Sequence, residues 1–410
     1  MQNVFIEKPY QFVPPSASHW LQKLLLRTPL LRRFLRRREG VVSHEIHGLQ
    51  HLRTSIDAGH GILLPPNHPR MADPLVMYHV AAAVKTPFFT MASWHLFNQG
   101  WWKRQILRVM GGFSVNRESV DRQSVDAAVD ILTSATGPLL VFAEGTTSRT
   151  NDQLMAFMDG PAFIARTAAK RRAKQNGGAV VAHPVAIKYV FRGDIEQTCD
   201  EIFSDIEQRL TWQPQRDIPL LQRLQQLGDA LLTLKELEHG VATDRSLPLR
   251  QRQTHMVNHL LHPLENEWLG GPRSEDGIAI RIKNLRMKIF PDMSNHRVDA
   301  DESKRRWKQL ADTYLAQQID CYPEKYVDEF PSVDRILETA EKFDEDVNSY
   351  ARIVGNLHAI IQIGPAIQVA GKRQRDAQGE PLTAEISSQI QTMLDGMKDR
   401  STMYEPTTTP

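Results

Sequence analysis

The alternation of short apolar runs with amphipathic segments between residues 60 and 193 restricts the fold of this chain more than any other feature of its sequence. The apolar runs are bounded by glycine, proline or polar residues, a pattern typical of buried strands. We predict strands at 61–66, 88–92, 139–143 and 180–189, and helices at 74–84, 124–133 and 160–174. Strands that alternate with helices indicate an α/β fold whose functional sites lie at strand ends.

The residues after 193 have a different pattern. Apolar residues recur at helical spacing from about 194 to 350, without convincing strand signals or an apparent internal repeat. Strand character returns at 359–363 and is followed by a last helix at about 383–397. We therefore predict a sheet with flanking helices that is interrupted by a large helical insertion.

These patterns divide the chain into five segments. The predicted division is an N-terminal basic amphipathic helical segment at 1–40, the first part of the α/β domain at 41–193, the helical insertion at 194–350, the final strand and helix of the α/β domain at 351–400, and a disordered tail at 401–410.

The charge and the cysteine content exclude several classes of function. The chain has 50 Lys and Arg against 48 Asp and Glu, so nucleic-acid binding is not indicated. Cys199 and Cys321 are too few for a disulfide framework and lack the spacing of a metal site, which fits a reducing compartment. Signal-peptide features and a run of about 20 apolar residues are missing, so we expect a soluble or peripheral protein.

The segment from 20 to 38 carries seven basic residues and no acid. A helix here would put its apolar side chains on one face and most of its arginines on the other. The apolar side chains are Leu30, Leu31, Phe34 and Leu35, and the arginines are Arg32, Arg33, Arg36 and Arg37. Such a helix suits an anionic membrane surface as its partner. The alternative is a helix that packs its apolar face on its own domain and exposes its arginines to water.

A histidine and an aspartate five residues apart follow the first predicted strand. A carboxylate such as Asp73 can fix the tautomer of a histidine such as His68 and leave its other ring nitrogen free to take a proton. The same spacing occurs at His68/Asp73, His239/Asp244 and His296/Asp301. The alternative for the first pair is that Asp73, which precedes a proline, caps the helix while His68 is an ordinary loop residue.

Two segments downstream of His68 distinguish the first pair. Gly111-Gly112 form a turn that leads to Arg117, whose guanidinium can hold a phosphate through two hydrogen bonds. The strand predicted at 139–143 then ends in Glu144, Gly145 and Thr146, where glycine permits close approach of the backbone. An apolar block with a proline near its start follows at 181–187.

In this order, these segments resemble the motif blocks of the glycerolipid acyltransferase family, which includes the 1-acylglycerol-3-phosphate acyltransferases. The blocks NHxxxxD, a GGxxxxxR-like turn, FPEGTRS and an apolar block with a central proline match residues 68–73, 111–117, 142–148 and 181–187. Residues 361–367 are similar to the family's final strand. The resemblance covers about 60–193 and 355–398 and implies a glycerolipid-acyltransferase-like sheet.

The resemblance also implies a reaction. A fatty acyl group would pass from acyl-CoA or acyl-carrier protein, the latter a possible partner, to the hydroxyl of a glycerol phosphate or lysophospholipid. His68 would be the general base and Asp73 would orient it. The acceptor would be placed by Arg117, on its phosphate, and by Glu144, Gly145 and Thr146. No metal or cofactor beyond the acyl co-substrate is implied, and we expect a peripheral protein on the cytoplasmic face of a membrane.

The chain departs from the family at two positions. Ala143 replaces the usual proline, and Thr147 replaces an arginine thought to help hold the acceptor's phosphate. On a regular strand Arg149 would face the same way as position 147 and could compensate for the loss.

Two other classes of function stay open at this point. The same His–Asp pair could hydrolyse an acyl thioester, although a GxSxG nucleophile elbow is missing. The chain could also be a catalytically inactive membrane-binding scaffold, which the intact His68, Asp73 and Glu144 argue against.

Overall fold

A computed structural model describes residues 10–16, 19–26, 28–118, 121–175, 177–211, 213–242, 244–294, 297–322, 325–350, 352–372 and 379–406. The strands are β1 (Val41–His47), β2 (Gly61–Leu64), β3 (Phe89–Ser93), β4 (Gly112–Val115), β5 (Leu139–Leu140), β6 (Val180–Ala182), β7 (Val185–Phe191), β8 (Leu357–Ile363) and β9 (Ile367–Gln368). The α-helices are α1 (His19–Leu26), α2 (Leu30–Arg38), α3 (Leu49–Asp57), α4 (Asp73–Val84), α5 (Trp101–Val109), α6 (Arg122–Ser134), α7 (Gly160–Lys174), α8 (Ile195–Arg209), α9 (Leu220–Glu238), α10 (Leu249–Leu269), α11 (Ile278–Ser294), α12 (Ala300–Asp320), α13 (Val333–Asn348) and α14 (Pro381–Asp395). Two 3₁₀ helices lie at Trp94–Asn98 and Lys398–Arg400.

The strands form two sheets. The larger has the order β4-β3-β5-β2-β6-β9, and its strands are parallel except for β9. The smaller has the order β1-β8-β7, with β8 parallel to β1 and antiparallel to β7. An isolated parallel bridge between Pro66 and Val185 links them. The predicted α/β fold with a parallel sheet and flanking helices is confirmed.

The single strand predicted at 180–189 is wrong, because His183 and Pro184 divide it into β6 and β7. Pro184 has no N–H for a ladder, and its carbonyl accepts from the N–H of Gly364 at 2.8 Å. The His183 ring is buried, with Nδ1 2.9 Å from the carbonyl oxygen of Gly364 and Nε2 2.9 Å from Oγ of Ser55. The break lets β6 stay in the large sheet while β7 enters the small one.

The strand predicted at 359–363 is expected to join the sheet that begins at residue 60, in a ladder with an earlier strand. The ladder with an earlier strand is confirmed, but the sheet assigned to it is wrong. In β8, Ile361 lies opposite Ile46 of β1 and Ile187 of β7, and Ile363 lies opposite Val185. The sequence patterns did not predict β1, and β8 joins the small sheet rather than the sheet that contains β2. The C-terminal segment reaches the large sheet through β9, which pairs with β6.

The region from 194 to 350 is helical throughout its described residues, from α8 to α13. Its helices belong to two cores. Phe203 of α8 and Leu337 of α13 pack with the core of the α/β domain, whereas Met256, Leu285 and Leu310 form a separate core between α10, α11 and α12. The helical region is therefore partly embedded in the α/β domain.

An internal repeat of 29 residues runs through α8 to α11, so the expectation of no repeat is wrong. The recurring feature is a buried arginine, at positions 223, 252 and 281, which donates two hydrogen bonds to a glutamate 16 residues earlier. The glutamates are Glu207, Glu236 and Glu265. Each arginine also bonds Asp200, Asp229 or Asn258, which lie 23 residues earlier. The repeat is hard to detect in the sequence because so few positions recur. Its arginine–glutamate pairs connect each helix to the next.

The two ends of the chain differ from their predictions in detail. Leu35 of α2 is buried and Leu31 packs on the same core, but Leu30 and Phe34 are exposed. The prediction of a disordered tail is wrong for residues 401–406, because the backbone N–H of Tyr404 bonds the carbonyl of Pro331 and Oγ of Ser401 bonds Asp334. Residues 407–410 lie outside the described residues.

Candidate active site

His68 and Asp73 meet in the loop between β2 and α4. Nδ1 of His68 lies 2.7 Å from Oδ2 of Asp73, and the same oxygen accepts the backbone N–H of Arg70 at 2.9 Å. Asp73 is the first residue of α4 and Ala72 is its N-cap, without a side-chain capping bond. The prediction that Asp73 caps the helix is therefore wrong, because its carboxylate turns back to the loop.

The second carboxylate oxygen of Asp73 is held by a residue that sequence inspection missed. The hydroxyl of Tyr189, on β7, donates to Oδ1 of Asp73 at 2.5 Å. Both side chains are fully buried, and burial raises the pKa of Tyr189, so it stays protonated and remains a donor. Tyr189 lies two residues beyond the apolar block at 181–187, on the same face of β7 as Ile187. Three donors thus fix one carboxylate behind His68.

The His68 ring is oriented for proton transfer. The ring stacks on Phe142 with 4.1 Å between ring centroids, and its side chain is 14% exposed. Its Nδ1 faces Asp73, whereas Nε2 has no hydrogen-bond partner in the described part of the chain. A histidine with Nδ1 held by a carboxylate can accept a proton at Nε2.

Glu144 lies behind His68 rather than among the residues that line the neighbouring cavity. Its Oε1 accepts the backbone N–H of His68 at 2.8 Å and its Oε2 accepts that of Met155 at 3.4 Å. Burial raises the pKa of Glu144 to about 8, against the opposite effect of these two hydrogen bonds. In the structure Glu144 holds the backbone of the His68 loop.

Two asparagine side chains replace a neighbouring strand along one edge of β7. Asn67 bonds the carbonyl of Ile187 at 2.9 Å and its N–H at 2.7 Å. Asn151 bonds the carbonyl and the N–H of Tyr189 in the same way. Since buried backbone groups must be paired, these bonds position both the His68 loop and the loop after β5.

A cavity lined in part by Met71 of the His68 loop contains three of the predicted binding residues, whereas His68 and Asp73 are not among its lining residues. Arg117, Thr146 and Arg149 line it together with Met71 and Thr147. Gly145 contributes its carbonyl, which accepts NH1 of Arg117 at 2.5 Å. Gly145 has φ +70°, a backbone conformation that residues with a Cβ rarely adopt, so glycine is favoured at this position.

The helical region forms the other wall of the cavity. Its side chains are Arg286, Tyr314, Gln317, Gln318, Cys321, Tyr322, Lys342, Glu345 and Asp346. The sequence did not indicate that the insertion would reach the site, because the motif blocks all lie outside it.

Arg149 faces this cavity but is engaged by α13. Its Nε donates to Oε2 of Glu345 at 2.7 Å, and its NH1 lies 3.7 Å from Oε2 of Glu341. Residues 145–150 form turns and irregular loop, so the strand alternation expected for 147 and 149 does not hold. The assignment of Arg149 to an acceptor phosphate stays a prediction.

A buried ion pair connects the His68 loop to α13. NH1 of Arg70 donates to Oε1 of Glu341 at 2.8 Å, and its NH2 lies 2.6 Å from Oε2. Both side chains are nearly inaccessible to solvent. Sequence inspection offered no signal for this pair, because its members are 271 residues apart.

The other two His/Asp pairs do not form a comparable site. Nδ1 of His239 lies 3.0 Å from the carbonyl of Lys235 and its Nε2 lies 3.9 Å from Asp312, while Asp244 accepts from Ser246. His296 lies outside the described residues. Within the described ranges, no group of three or more His, Cys, Asp or Glu side chains could hold a metal ion. No helix in those ranges is long and apolar enough to span a membrane.

A comparison with protein families finds one that fits this arrangement. Residues 43–188 match the family model described as Acyltransferase, a span that includes His68, Asp73, Arg117 and Glu144. A search of curated proteins finds no match. The resemblance seen in the sequence is confirmed: residues 43–188 form an acyltransferase domain of the glycerolipid acyltransferase family.

Proposed function

We propose that this protein transfers a fatty acyl group from an acyl thioester, acyl-CoA or acyl-carrier protein, to the hydroxyl of a glycerol phosphate or lysophospholipid. The observation that carries the proposal is the arrangement of His68. Its Nδ1 is held by the Asp73 carboxylate, which accepts three hydrogen bonds in all, and its Nε2 is unpaired among the described residues. A hydroxyl is a poor nucleophile until a base removes its proton, and this histidine is oriented to do so.

The reaction proceeds by direct transfer. Nε2 of His68 takes the proton of the acceptor hydroxyl as the oxygen forms a bond to the thioester carbonyl carbon. The tetrahedral intermediate then expels the thiolate, which takes the proton from His68, and the products are an ester and a free thiol. Asp73 stabilises the imidazolium while it exists, and a covalent acyl-enzyme is not needed.

The cavity beside His68 favours an acceptor that bears a phosphate. Arg117, Arg149, Arg286 and Lys342 line it against two carboxylates, those of Glu345 and Asp346. Arginine forms paired hydrogen bonds with phosphate oxygens, so this excess of cations fits an anionic substrate group better than a neutral one.

Thiol release from acyl-CoA, measured with and without lysophosphatidate, tests the proposal. Release that depends on the acceptor supports the transferase. Acceptor-independent release would identify a thioesterase, and no release would favour an inactive scaffold. The H68A variant should abolish the activity, whereas H239A, which removes a histidine outside the site, should not change it.

We also propose that the protein binds the anionic surface of a membrane, on the cytoplasmic side of that membrane. In α2, Leu30 and Phe34 are exposed beside Arg32, Arg33, Arg36 and Arg37. In α5, Trp101 and Trp102 are 61% and 75% exposed, and α1 contacts both helices. Exposed aromatic and aliphatic side chains beside arginines are typical of helices that lie in the lipid interface.

Sedimentation with vesicles that contain anionic lipid tests this attachment. Each arginine near the surface contributes about 1 kcal/mol, so replacing Arg32, Arg33, Arg36 and Arg37 by Gln should abolish binding, and high salt should weaken binding of the parent protein. A control replaces four scattered, exposed basic residues by Gln: Lys170, Lys174, Arg245 and Lys288. Equal loss in both variants, or salt-insensitive binding, would contradict the proposal.

A further inference from the structure

Arg286 of α11 extends the repeat in an unusual way. The positions that correspond to it in the preceding units, at 29-residue intervals, are Val257, Gly228 and Cys199, which are apolar or small. Val257 and Cys199 are buried in the cores between helices. Arginine at this position is therefore not explained by the packing that the repeat requires, and its side chain lines the cavity beside His68.

The guanidinium of Arg286 has only uncharged partners among the described residues. Its Nε donates to Oγ1 of Thr313 and its NH2 to Oε1 of Gln317, both at 3.0 Å, and it lies 3.8 Å from the ring centroid of Tyr314. The three buried arginines of the repeat, by contrast, each have a glutamate partner.

Arg117, which lines the same cavity from the α/β domain, also lacks a charged partner among the described residues. Its NH1 donates to the carbonyl of Gly145, and its Nε is buried without a hydrogen-bond partner. Neither guanidinium forms an ion pair with a carboxylate of the described residues. The nearby carboxylate of Glu118 instead accepts a hydrogen bond from the hydroxyl of Tyr314 at 3.0 Å. Burial lowers the pKa of Arg286. Tyr314 and Glu118 oppose this effect, and the charge of Arg117 adds to it.

Two guanidinium groups that face one cavity and have no carboxylate partner among the described residues form a site for an anion. Position 147 lies on the same cavity and offers only a hydroxyl, which already contacts Sδ of Met71 at 3.2 Å. We infer that Arg286 and Arg117 together bind the phosphate of the acyl acceptor, so that the helical region supplies the guanidinium missing at position 147. This inference rests on the proposed acyl transfer to a phosphate-bearing acceptor.

The kinetic test compares R286Q with the parent protein in the thiol-release assay, by measuring KM separately for lysophosphatidate and for acyl-CoA. Losing a charge-assisted hydrogen bond should raise KM for lysophosphatidate about tenfold to hundredfold, with KM for acyl-CoA and kcat nearly unchanged. R245Q, which removes an exposed arginine of the same region, is the control and should change neither. R286K keeps the charge but not the paired donors, and should give an intermediate KM.

A rise confined to KM for acyl-CoA would mean that the cavity binds the donor's phosphates and would overturn the inference, as would no change in either KM. Calorimetric titration with glycerol 3-phosphate gives a readout without turnover: the parent protein and R245Q should bind it, and R286Q should bind at least tenfold more weakly. If the parent protein binds glycerol 3-phosphate but releases no thiol, the proposed reaction fails while the phosphate site stands. If it releases thiol with lysophosphatidate and R286Q behaves like R245Q, the site fails while the reaction stands.

Discussion

At the scale of single residues, the site depends on how completely Asp73 and the His68 backbone are held. Asp73 accepts hydrogen bonds from His68, Arg70 and Tyr189, which come from the loop and from β7. Glu144 fixes the same loop from the other side through the N–H of His68. In the proposed reaction, a base held in this way would not have to be reoriented when the acceptor arrives.

The Tyr189→Phe variant tests the part played by the tyrosine. It removes one hydrogen bond to Asp73 without changing the shape of the core, a loss of about 1 kcal/mol, so kcat should fall about fivefold with little change in KM. Asp73→Asn should lower kcat more, and His68→Ala by about two to four orders of magnitude. An unchanged kcat in Tyr189→Phe would show that the tyrosine does not orient the dyad.

The buried carboxyl of Glu144 predicts a pH dependence of stability. Between its ordinary pKa of 4.5 and its folded value of about 8, the folded protein binds a proton that the unfolded chain does not. The free energy of unfolding should therefore decrease as the pH rises through this window, and should do so less steeply in Glu144→Gln. Glu338, whose pKa burial also raises to about 8, contributes a slope of the same sign in both proteins. Denaturant titrations at pH 5, 6.5 and 8 measure it, and parallel curves for the two proteins would contradict the role assigned to Glu144.

At the scale of elements, α13 supports the loops of the candidate active site. Glu341 and Glu345 hold Arg70 and Arg149, and Asp334 accepts the N–H of Phe191 on β7 at 2.7 Å. Polar side chains on a buried helix need hydrogen-bonding partners. The partners of α13 lie on β7 and on the two loops that carry His68 and Thr146. A helix of the insertion is thus part of the wall of the candidate active site.

The Glu341→Gln variant tests this support. It leaves the buried guanidinium of Arg70 without its carboxylate, which should lower the free energy of unfolding by about 3–5 kcal/mol and also lower kcat. The control is Glu238→Gln, which breaks the exposed pair with Lys235 and should cost about 0–1 kcal/mol. Urea titration followed by circular dichroism measures both, and equal effects would mean that the buried pair contributes no more than a surface one.

At the scale of the whole molecule, the chain completes its small sheet with β8, a strand from its C-terminal segment. β8 lies between β1 and β7, so residues from three distant parts of the sequence must meet before this sheet exists. The helices from α8 to α13 lie between β7 and β8 in sequence, and α8 and α13 pack on the shared core. Folding of the acyltransferase domain should therefore require both the C-terminal segment and these two helices.

The Ile361→Asp variant tests this dependence. Ile361 is fully buried in the centre of β8, and an unpaired carboxylate there costs several kcal/mol, enough to unfold a typical domain. We expect loss of the near-UV circular dichroism signal and of thiol release. Ile353→Asp, at a position that is 54% exposed, should behave like the parent protein. A folded, active Ile361→Asp protein would contradict the central place of β8.

The sequence by itself determined the α/β class, the helical character of 194–350 and the return of a strand near 360, and it singled out His68, Asp73 and Arg117 as candidate site residues. These features have local signals, because strand and helix periodicity and short motifs are written in neighbouring residues. The break at His183-Pro184, the strand β1 and the 29-residue repeat were present in the sequence but too weak to separate from background. Only the tertiary structure decided that Tyr189 holds Asp73, that Glu144 bonds the His68 backbone, that α13 pairs with Arg70 and Arg149, and that Arg286 lines the cavity with Arg117. Those contacts join residues more than 70 positions apart, and the geometry of the whole fold, rather than any local pattern, brings such side chains together.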